Sequence, residues 1–149
     1  MTDLDGIEIL LVEDNPRDAE LTLRALKEHN LANGIVHLED GAQALDFLLK
    51  RGEYAQLGRE NASAPKVVFL DLKLPKVGGL EVLRVLKGDE ATRQIPVVMI
   101  TSSSEDPDIR AAYQLGANSY IVKPVEFGAF VDVMNAAGYY WLLINEASE

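Results

Sequence analysis

Five short runs rich in Val, Ile and Leu recur along the 149 residues, and a longer amphipathic stretch follows each of them. The runs lie at residues 7–12, 35–39, 67–70, 96–100 and 119–122. Such short apolar runs are typical of parallel strands whose two faces are both covered. Consecutive parallel strands need crossover connections, so the alternation predicts repeated strand–helix units. We therefore expect an α/β fold with a doubly wound, five-stranded parallel sheet and five helices on both faces.

The amphipathic stretches predict the helices that cover this sheet. They lie at residues 16–30, 41–51, 80–87, 104–115 and 126–146. Asn15 followed by Pro16 is a typical helix start, with a capping side chain and then proline at the first helical position. The polar segment 52–65 is rich in breakers and predicts an inserted loop. The length fits a single domain over residues 1–149, with a core at about 7–143.

Composition narrows the classes of function. The absence of cysteine excludes disulfide frameworks, thiolate metal sites and cysteine nucleophiles. A formal charge of −10 disfavours direct binding of nucleic acid, because the surface repels phosphate. The sequence has neither a membrane-spanning run nor a signal peptide at its start, so we expect a cytoplasmic protein that does not bind membranes.

Polar residues follow four of the predicted strands. Glu13 and Asp14 close the first, Asp71 the third and Thr101 the fourth, while Lys123 follows the fifth. The carboxyl ends of parallel strands share one edge of a sheet, so these groups should meet there. Three carboxylates in such a cluster repel one another unless a cation joins them. Mg²⁺ is a hard cation that binds through carboxylates and phosphate oxygens, which makes it the expected cofactor.

Each residue taken singly also has a structural explanation. Glu13 and Asp14, with Asn15, could belong only to a helix cap, and Asp71 could begin a turn. Thr101 could cap the next helix, and Lys123 could be a solvated surface amine. Their joint placement at four strand ends favours a functional site.

Four motifs give the chain a specific resemblance over nearly its full length. They are LLVEDN (10–15), VFLDLKLPKVGGLEVL (68–83), VVMITSSS (97–104) and SYIVKP (119–124). With these motifs in this order, the sequence resembles the receiver domain of two-component response regulators. That family has a flavodoxin-like sheet with strand order 2-1-3-4-5. The resemblance implies a signalling protein that assists its own phosphotransfer and dephosphorylation rather than an enzyme.

The resemblance also implies roles for individual residues. Asp71 would accept a phosphoryl group from a phosphohistidine of a sensor histidine kinase. Glu13, Asp14, Asp71 and the backbone carbonyl of Lys73 would hold Mg²⁺. Thr101 and Lys123 would contact the phosphoryl group, and Tyr120 would move with Thr101 as a switch. The Lys123–Pro124 peptide bond would be cis, as is usual in the family.

The output is expected to be a protein contact, because one helix and then the chain end follow Lys123. The insert and the phrase FLLKRGEYAQ (47–56) resemble single-domain receivers that work beside phytochrome-type sensor kinases. A downstream protein target or a phosphotransfer protein would then receive the signal. The last helix carries a second apolar stripe, Val133, Ala137, Tyr140 and Ile144, which predicts a homodimer contact.

The same residues also bear on three alternative functions. A haloacid dehalogenase-like phosphatase would need a second aspartate two residues after the first, where this chain has Lys73. A flavodoxin-like FMN carrier would need a phosphate loop where Glu13 and Asp14 stand. A pseudo-receiver acting by contact alone stays open, although every key position is intact. Lys73 and Ser103 occupy positions that tune the lifetime of the phosphorylated state in the family, so that lifetime is also open.

Overall fold

The computed structural model describes residues 7–28, 34–55 and 64–145, and within them five strands alternate with five α-helices. The strands are β1 (Ile9–Val12), β2 (Ile35–Leu38), β3 (Val67–Leu70), β4 (Val97–Thr101) and β5 (Ser119–Val122). The helices are α1 (Pro16–Glu28), α2 (Gly41–Leu48), α3 (Gly79–Gly88), α4 (Asp106–Gln114) and α5 (Phe127–Tyr139). All strands pair in parallel in the order β2-β1-β3-β4-β5. The predicted doubly wound sheet and its strand order are confirmed.

Alternate residues of the central strands supply two separate cores. On the face covered by α1 and α5, the buried strand residues are Ile9, Leu11, Val67, Phe69, Val98 and Ile100. On the face covered by α2, α3 and α4 they are Leu10, Val12, Val68, Leu70, Val97 and Met99. Because successive side chains of a strand point to opposite faces, a strand buried on both sides must be apolar throughout. This explains the continuous apolar runs of β1, β3 and β4.

Side-chain caps mark the starts of α1 and α2. Asn15 Oδ1 accepts hydrogen bonds from the backbone N–H groups of Arg17 and Asp18, at 2.9 and 3.1 Å. Asp40 Oδ1 accepts from the backbone N–H of Gln43 at 2.7 Å and thereby caps α2. These bonds satisfy amide donors that have no partner within their own helix.

The last predicted helix, 126–146, is not one regular helix. α5 ends at Tyr139, and residues Tyr140–Ile144 form a π-helical turn in which the N–H of Asn145 donates to the carbonyl of Tyr140. Leu142 in this turn is buried in the core, and Trp141 packs against it. Within the part of the chain that the structure describes, no helix is long and apolar enough to cross a membrane.

The other departures from the predicted boundaries are local. α2 ends at Leu48, and the predicted loop 52–65 begins with a 3₁₀ turn at Gly52–Tyr54. The part of that loop at residues 56–63 lies outside the described residues. α4 begins at Asp106 rather than at residue 104, because the chain stays extended at Glu105, which has backbone angles of −73° and 133°.

Gly79 brings the start of α3 against the chain that follows β3. A Cβ atom at this position would lie 2.1 Å from the carbonyl oxygen of Asp71 and 2.8 Å from the Cα of Leu72. The N–H of Gly79 donates to the carbonyl of Leu72 at 2.8 Å, so the backbones are held at this separation. A side chain here would push α3 away from Asp71.

The substitution Gly79→Ala is expected to lower the free energy of unfolding by about 2 kcal/mol or more, because the added methyl group meets rigid backbone. Gly88→Ala in the same helix is the matched control, since its Cβ would have no heavy atom within 4 Å. Urea unfolding of both variants measures the difference. Equal stabilities would contradict the close approach at Gly79.

Candidate functional site

The carboxyl edge of the sheet gathers the polar residues that the sequence singles out. Glu13 and Asp14 follow β1, Asp71 follows β3, Thr101 ends β4 and Lys123 follows β5. Glu13, Asp71 and Thr101 are buried, with 4%, 7% and 1% of their surface exposed. The parallel register places these strand ends together, as predicted, at the carboxyl edge of the sheet.

The ammonium group of Lys123 lies at the centre of this cluster. Its Nζ donates to Glu13 Oε1 at 2.6 Å, to Asp71 Oδ2 at 2.9 Å and to Asp18 Oδ2 at 2.9 Å. Only 8% of the Lys123 side chain is exposed. Burial lowers the pKa of Lys123, but the hydrogen bonds to Glu13, Asp71 and Asp18 outweigh it and raise that pKa above its ordinary value. The amine is therefore a permanent positive charge at neutral pH.

The crowding of the carboxylates changes the pKa of Glu13. Burial, followed by its interaction with the neighbouring Asp71 carboxyl, raises the pKa of Glu13 to about 7, although Lys123 acts in the opposite direction. The backbone N–H of Asn15 donates to Glu13 Oε2 at 3.2 Å. A second positive charge beside Glu13 and Asp71 would relieve this repulsion.

Glu13, Asp14 and Asp71 have the geometry to hold a cation. Each offers a carboxylate oxygen, and these oxygens lie within 4.8 Å of one another. Oxygen ligands of this kind suit Mg²⁺ or Mn²⁺. Lys73 follows closely, and its backbone N–H donates to Asp71 Oδ1 at 3.3 Å. The carbonyl of Lys73 as a further ligand stays a prediction.

Thr101 and Tyr120 are connected through Ser103. The backbone N–H of Ser103 donates to Thr101 Oγ1 at 3.3 Å, and the Tyr120 hydroxyl donates to the carbonyl of Ser103 at 2.9 Å. The Ser103 hydroxyl also donates to Asp108 in α4. A displacement of Thr101 would therefore change the hydrogen bonds that Ser103 makes with Tyr120 and with the start of α4.

The expected cis bond between Lys123 and Pro124 is wrong for this structure, because no peptide bond among the described residues is cis. The trans isomer is the lower-energy form of an X–Pro bond. Lys123 reaches all three carboxylates from a trans bond, so its contacts do not require the cis form.

Two members of the cluster, Asp18 and His37, were not predicted from the sequence. Asp18 binds Lys123 from the first turn of α1. An acidic residue at this position is explained by its favourable interaction with the helix dipole alone. His37 Nε2 in β2 contacts the carbonyl of Glu13 at 2.8 Å. His37 lies one residue before the end of β2, and that end lies at the same edge of the sheet. This position could have indicated that His37 is near the site.

The residues predicted for a homodimer contact fall into two groups. Ala137 is 7% exposed and packs in the core between the sheet and α5, so it is not available to a partner, and its assignment to the contact is wrong. Tyr140 and Ile144 are about half exposed, at 47% and 51%, and Val133 is partly buried.

Comparison with known proteins places this site in a family. The model of the response regulator receiver domain matches residues 9–135. The probable methanogenesis regulatory protein FilR2 of Methanothrix harundinacea (strain 6Ac) is 44% identical over 139 residues, which cover 93% of this chain and 85% of the relative. The response regulator Rcp1 of Synechocystis sp. (strain ATCC 27184 / PCC 6803 / Kazusa) is 36% identical over 134 residues, which cover 90% and 88%.

Solved structures agree with the sequence relatives. The Mn²⁺-bound form of response regulator Rcp1 is 34% identical, with a TM-score of 0.86, over 96% of this chain and 99% of that one. The phosphorylated cyanobacterial phytochrome response regulator RcpA is 35% identical, with a TM-score of 0.88, over 97% and 99%. The bacteriophytochrome response regulator AtBRR is 52% identical, with a TM-score of 0.71, over 94% and 98%.

Removal of one carboxylate ligand tests the cation site directly. We expect Asp14→Asn to weaken Mg²⁺ binding by about tenfold or more, because the affinity for divalent cations depends on the charge of their ligands. Isothermal titration calorimetry measures the affinity, and a smaller rise of Tm with Mg²⁺ should accompany the loss. Glu20→Gln, on the exposed side of α1, is the control and should bind as the wild type does. Equal affinities in all three proteins would refute the site.

Proposed function

The chain belongs to the response regulator receiver family, and we propose that it accepts a phosphoryl group on Asp71 from the phosphohistidine of a sensor kinase. The observation that carries the proposal is the contact of Asp71 Oδ2 with the buried Lys123 ammonium at 2.9 Å, beside the Glu13 and Asp14 carboxylates. The site thus combines a nucleophile, a fixed positive charge and oxygen ligands for a cation.

The transfer uses each of these groups for one task. A carboxylate oxygen of Asp71 attacks phosphorus and forms an acyl-phosphate bond, while the bond from phosphorus to the histidine nitrogen breaks and its electron pair stays on that nitrogen. The Lys123 ammonium stabilises negative charge on the phosphoryl oxygens, and the Thr101 hydroxyl can donate a hydrogen bond to one of them. Glu13, Asp14, Asp71 and the backbone carbonyl of Lys73 would hold Mg²⁺, which would supply further positive charge.

The signal would leave the site through Thr101. We propose that the phosphoryl group draws the Thr101 hydroxyl away from the N–H of Ser103, with which it is bonded at 3.3 Å. Ser103 also binds Tyr120 and Asp108, so its movement would reposition the Tyr120 ring and the start of α4. Such a linked set of bonds is the kind of two-state element that a modification can bias.

We propose a phytochrome-type sensor kinase as the phosphoryl donor. The support is similarity to the phytochrome response regulator RcpA and the bacteriophytochrome response regulator AtBRR over almost the whole chain. The receiver would work in the cytoplasm and act on a downstream protein or a phosphotransfer protein. A pseudo-receiver that acts by contact alone is the alternative, and the chemistry of Asp71 separates the two.

Phosphorylation is tested with acetyl phosphate and Mg²⁺, read by intact mass. The wild type should gain one phosphoryl group, and Asp71→Asn should gain none, because its amide is not a nucleophile. Asp46→Asn, an aspartate of α2 away from the site, is the control and should be labelled like the wild type. Failure of the wild type to gain mass would favour the pseudo-receiver, and labelling of Asp71→Asn would exclude Asp71 as the acceptor.

We also propose that the exposed part of the predicted stripe mediates a homodimer. Tyr140 and Ile144 place two half-exposed apolar side chains at the two ends of the π-helical turn that follows α5. A second copy of the same face would remove both from water.

The double variant Tyr140→Ser, Ile144→Ser is expected to shift the dimer towards monomer in analytical ultracentrifugation, because it removes the apolar area that drives association. Tyr113→Ser is the matched control, since Tyr113 is 50% exposed on α4. A wild type that remains monomeric at high micromolar concentration, phosphorylated or not, would refute the dimer.

A further inference from the structure

Lys123 has three ammonium protons and three carboxylate partners. They are Glu13, Asp71 and Asp18, at N–O distances of 2.6, 2.9 and 2.9 Å. The partners come from three elements, the end of β1, the end of β3 and the first turn of α1. A phosphoryl oxygen can therefore bind the ammonium only where one of these bonds is given up.

The chemistry at the site distinguishes the three partners. The carboxyl group of Asp71 loses its own negative charge when it becomes an acyl phosphate, and the phosphoryl oxygens then carry the charge. Glu13 belongs to the carboxylates that can hold a cation. Asp18 has neither task. Its carboxylate can stay bound to Nζ of Lys123 throughout the phosphorylation cycle.

From this contact we propose that Asp18 is a positioning residue, whose carboxylate holds the Lys123 ammonium beside Asp71 while the other two partners serve metal binding and phosphoryl transfer. This inference rests on the proposed function of Asp71. Asp18 keeps its hydrogen bond to one N–H of the Lys123 ammonium. The two N–H groups that no longer donate to Glu13 and Asp71 can then donate to the phosphoryl oxygens.

The setting of Asp18 suits this task. Side chains bind both the N–H and the carbonyl of its backbone. The N–H donates to Asn15 Oδ1 at 3.1 Å, and the carbonyl accepts from the Thr22 hydroxyl at 2.8 Å. Its side chain is 23% exposed, compared with 4% for Glu13. A group on a capped helix can hold its partner more accurately than one on a loop. Because these backbone bonds do not involve the carboxylate, a change of the side chain leaves them in place.

The rate of phosphorylation by acetyl phosphate tests the inference, with Mg²⁺ saturating and the product read by intact mass. Asp18→Ala should be labelled about tenfold more slowly than the wild type, because a charge-assisted bond that orients a reacting group is lost. Asp18→Asn should be intermediate, since its amide oxygen still accepts a hydrogen bond without a charge. Asp106→Asn is the control, an exposed acid in the first turn of α4, and should react at the wild-type rate.

A second readout does not depend on the reaction. In metal-free protein, NMR of the lysine ammonium groups should show slow proton exchange for Lys123, and Asp18→Ala should accelerate it while circular dichroism stays unchanged. Wild-type rates of labelling and exchange in both Asp18 variants would overturn the inference, as would the same slowing in Asp106→Asn. A wild type that takes up no phosphoryl group overturns the proposed function itself, and that result is seen before any variant is compared.

Discussion

The ion cluster around Lys123 is the interaction on which the function of this fold depends. One buried ammonium group binds carboxylates from β1, α1 and β3, and it extends from the end of β5 to reach them. Burial of each of these groups is costly, and their mutual contact offsets part of that cost. The same contact leaves an excess of negative charge beside Asp71, which a divalent cation can neutralise.

The rest of the structure brings this cluster together. Two apolar cores, one on each face, hold the strands in register, so that their carboxyl ends form one edge. Gly79 lets α3 approach the backbone of Asp71, and a Cβ atom at Gly41 would lie 1.8 Å from the carbonyl oxygen of Val77. These close approaches keep the loop after β3 compact beside the nucleophile. The stability of the fold and the chemistry of the edge therefore rely on the same backbone packing.

The fold and most of the site could be predicted because they depend on local patterns. The apolar runs identify the strands, parallel pairing follows from their alternation with helices, and the strand ends then locate Glu13, Asp71 and Thr101. Asp18 could not be found in this way, because its contact with Lys123 spans 105 residues and depends on a side-chain direction. Its position in the first turn of α1 already had a sufficient local explanation.

The end of α5 shows a similar limit. Hydrophobic periodicity continues through Tyr140–Ile144, yet the backbone changes there to a π-helical turn, and Ala137 is buried in the core rather than aligned with Tyr140 on an outer stripe. A regular period of 3.6 residues cannot reveal a local change of helix type. The expectation of a cis bond between Lys123 and Pro124 is wrong for another reason. It came from the family resemblance, and the isomer in a particular chain depends on its tertiary contacts.

Phosphorylation of the Asp71 carboxyl group is tested most directly by chemical mapping of the acceptor residue. Borohydride reduces an aspartyl phosphate to homoserine, so reduction of the phosphorylated protein followed by peptide mass spectrometry identifies the acceptor residue. We predict homoserine at position 71 and aspartate at positions 14 and 18. Homoserine at either of those positions, or at none in protein that has gained the phosphoryl mass, would contradict it.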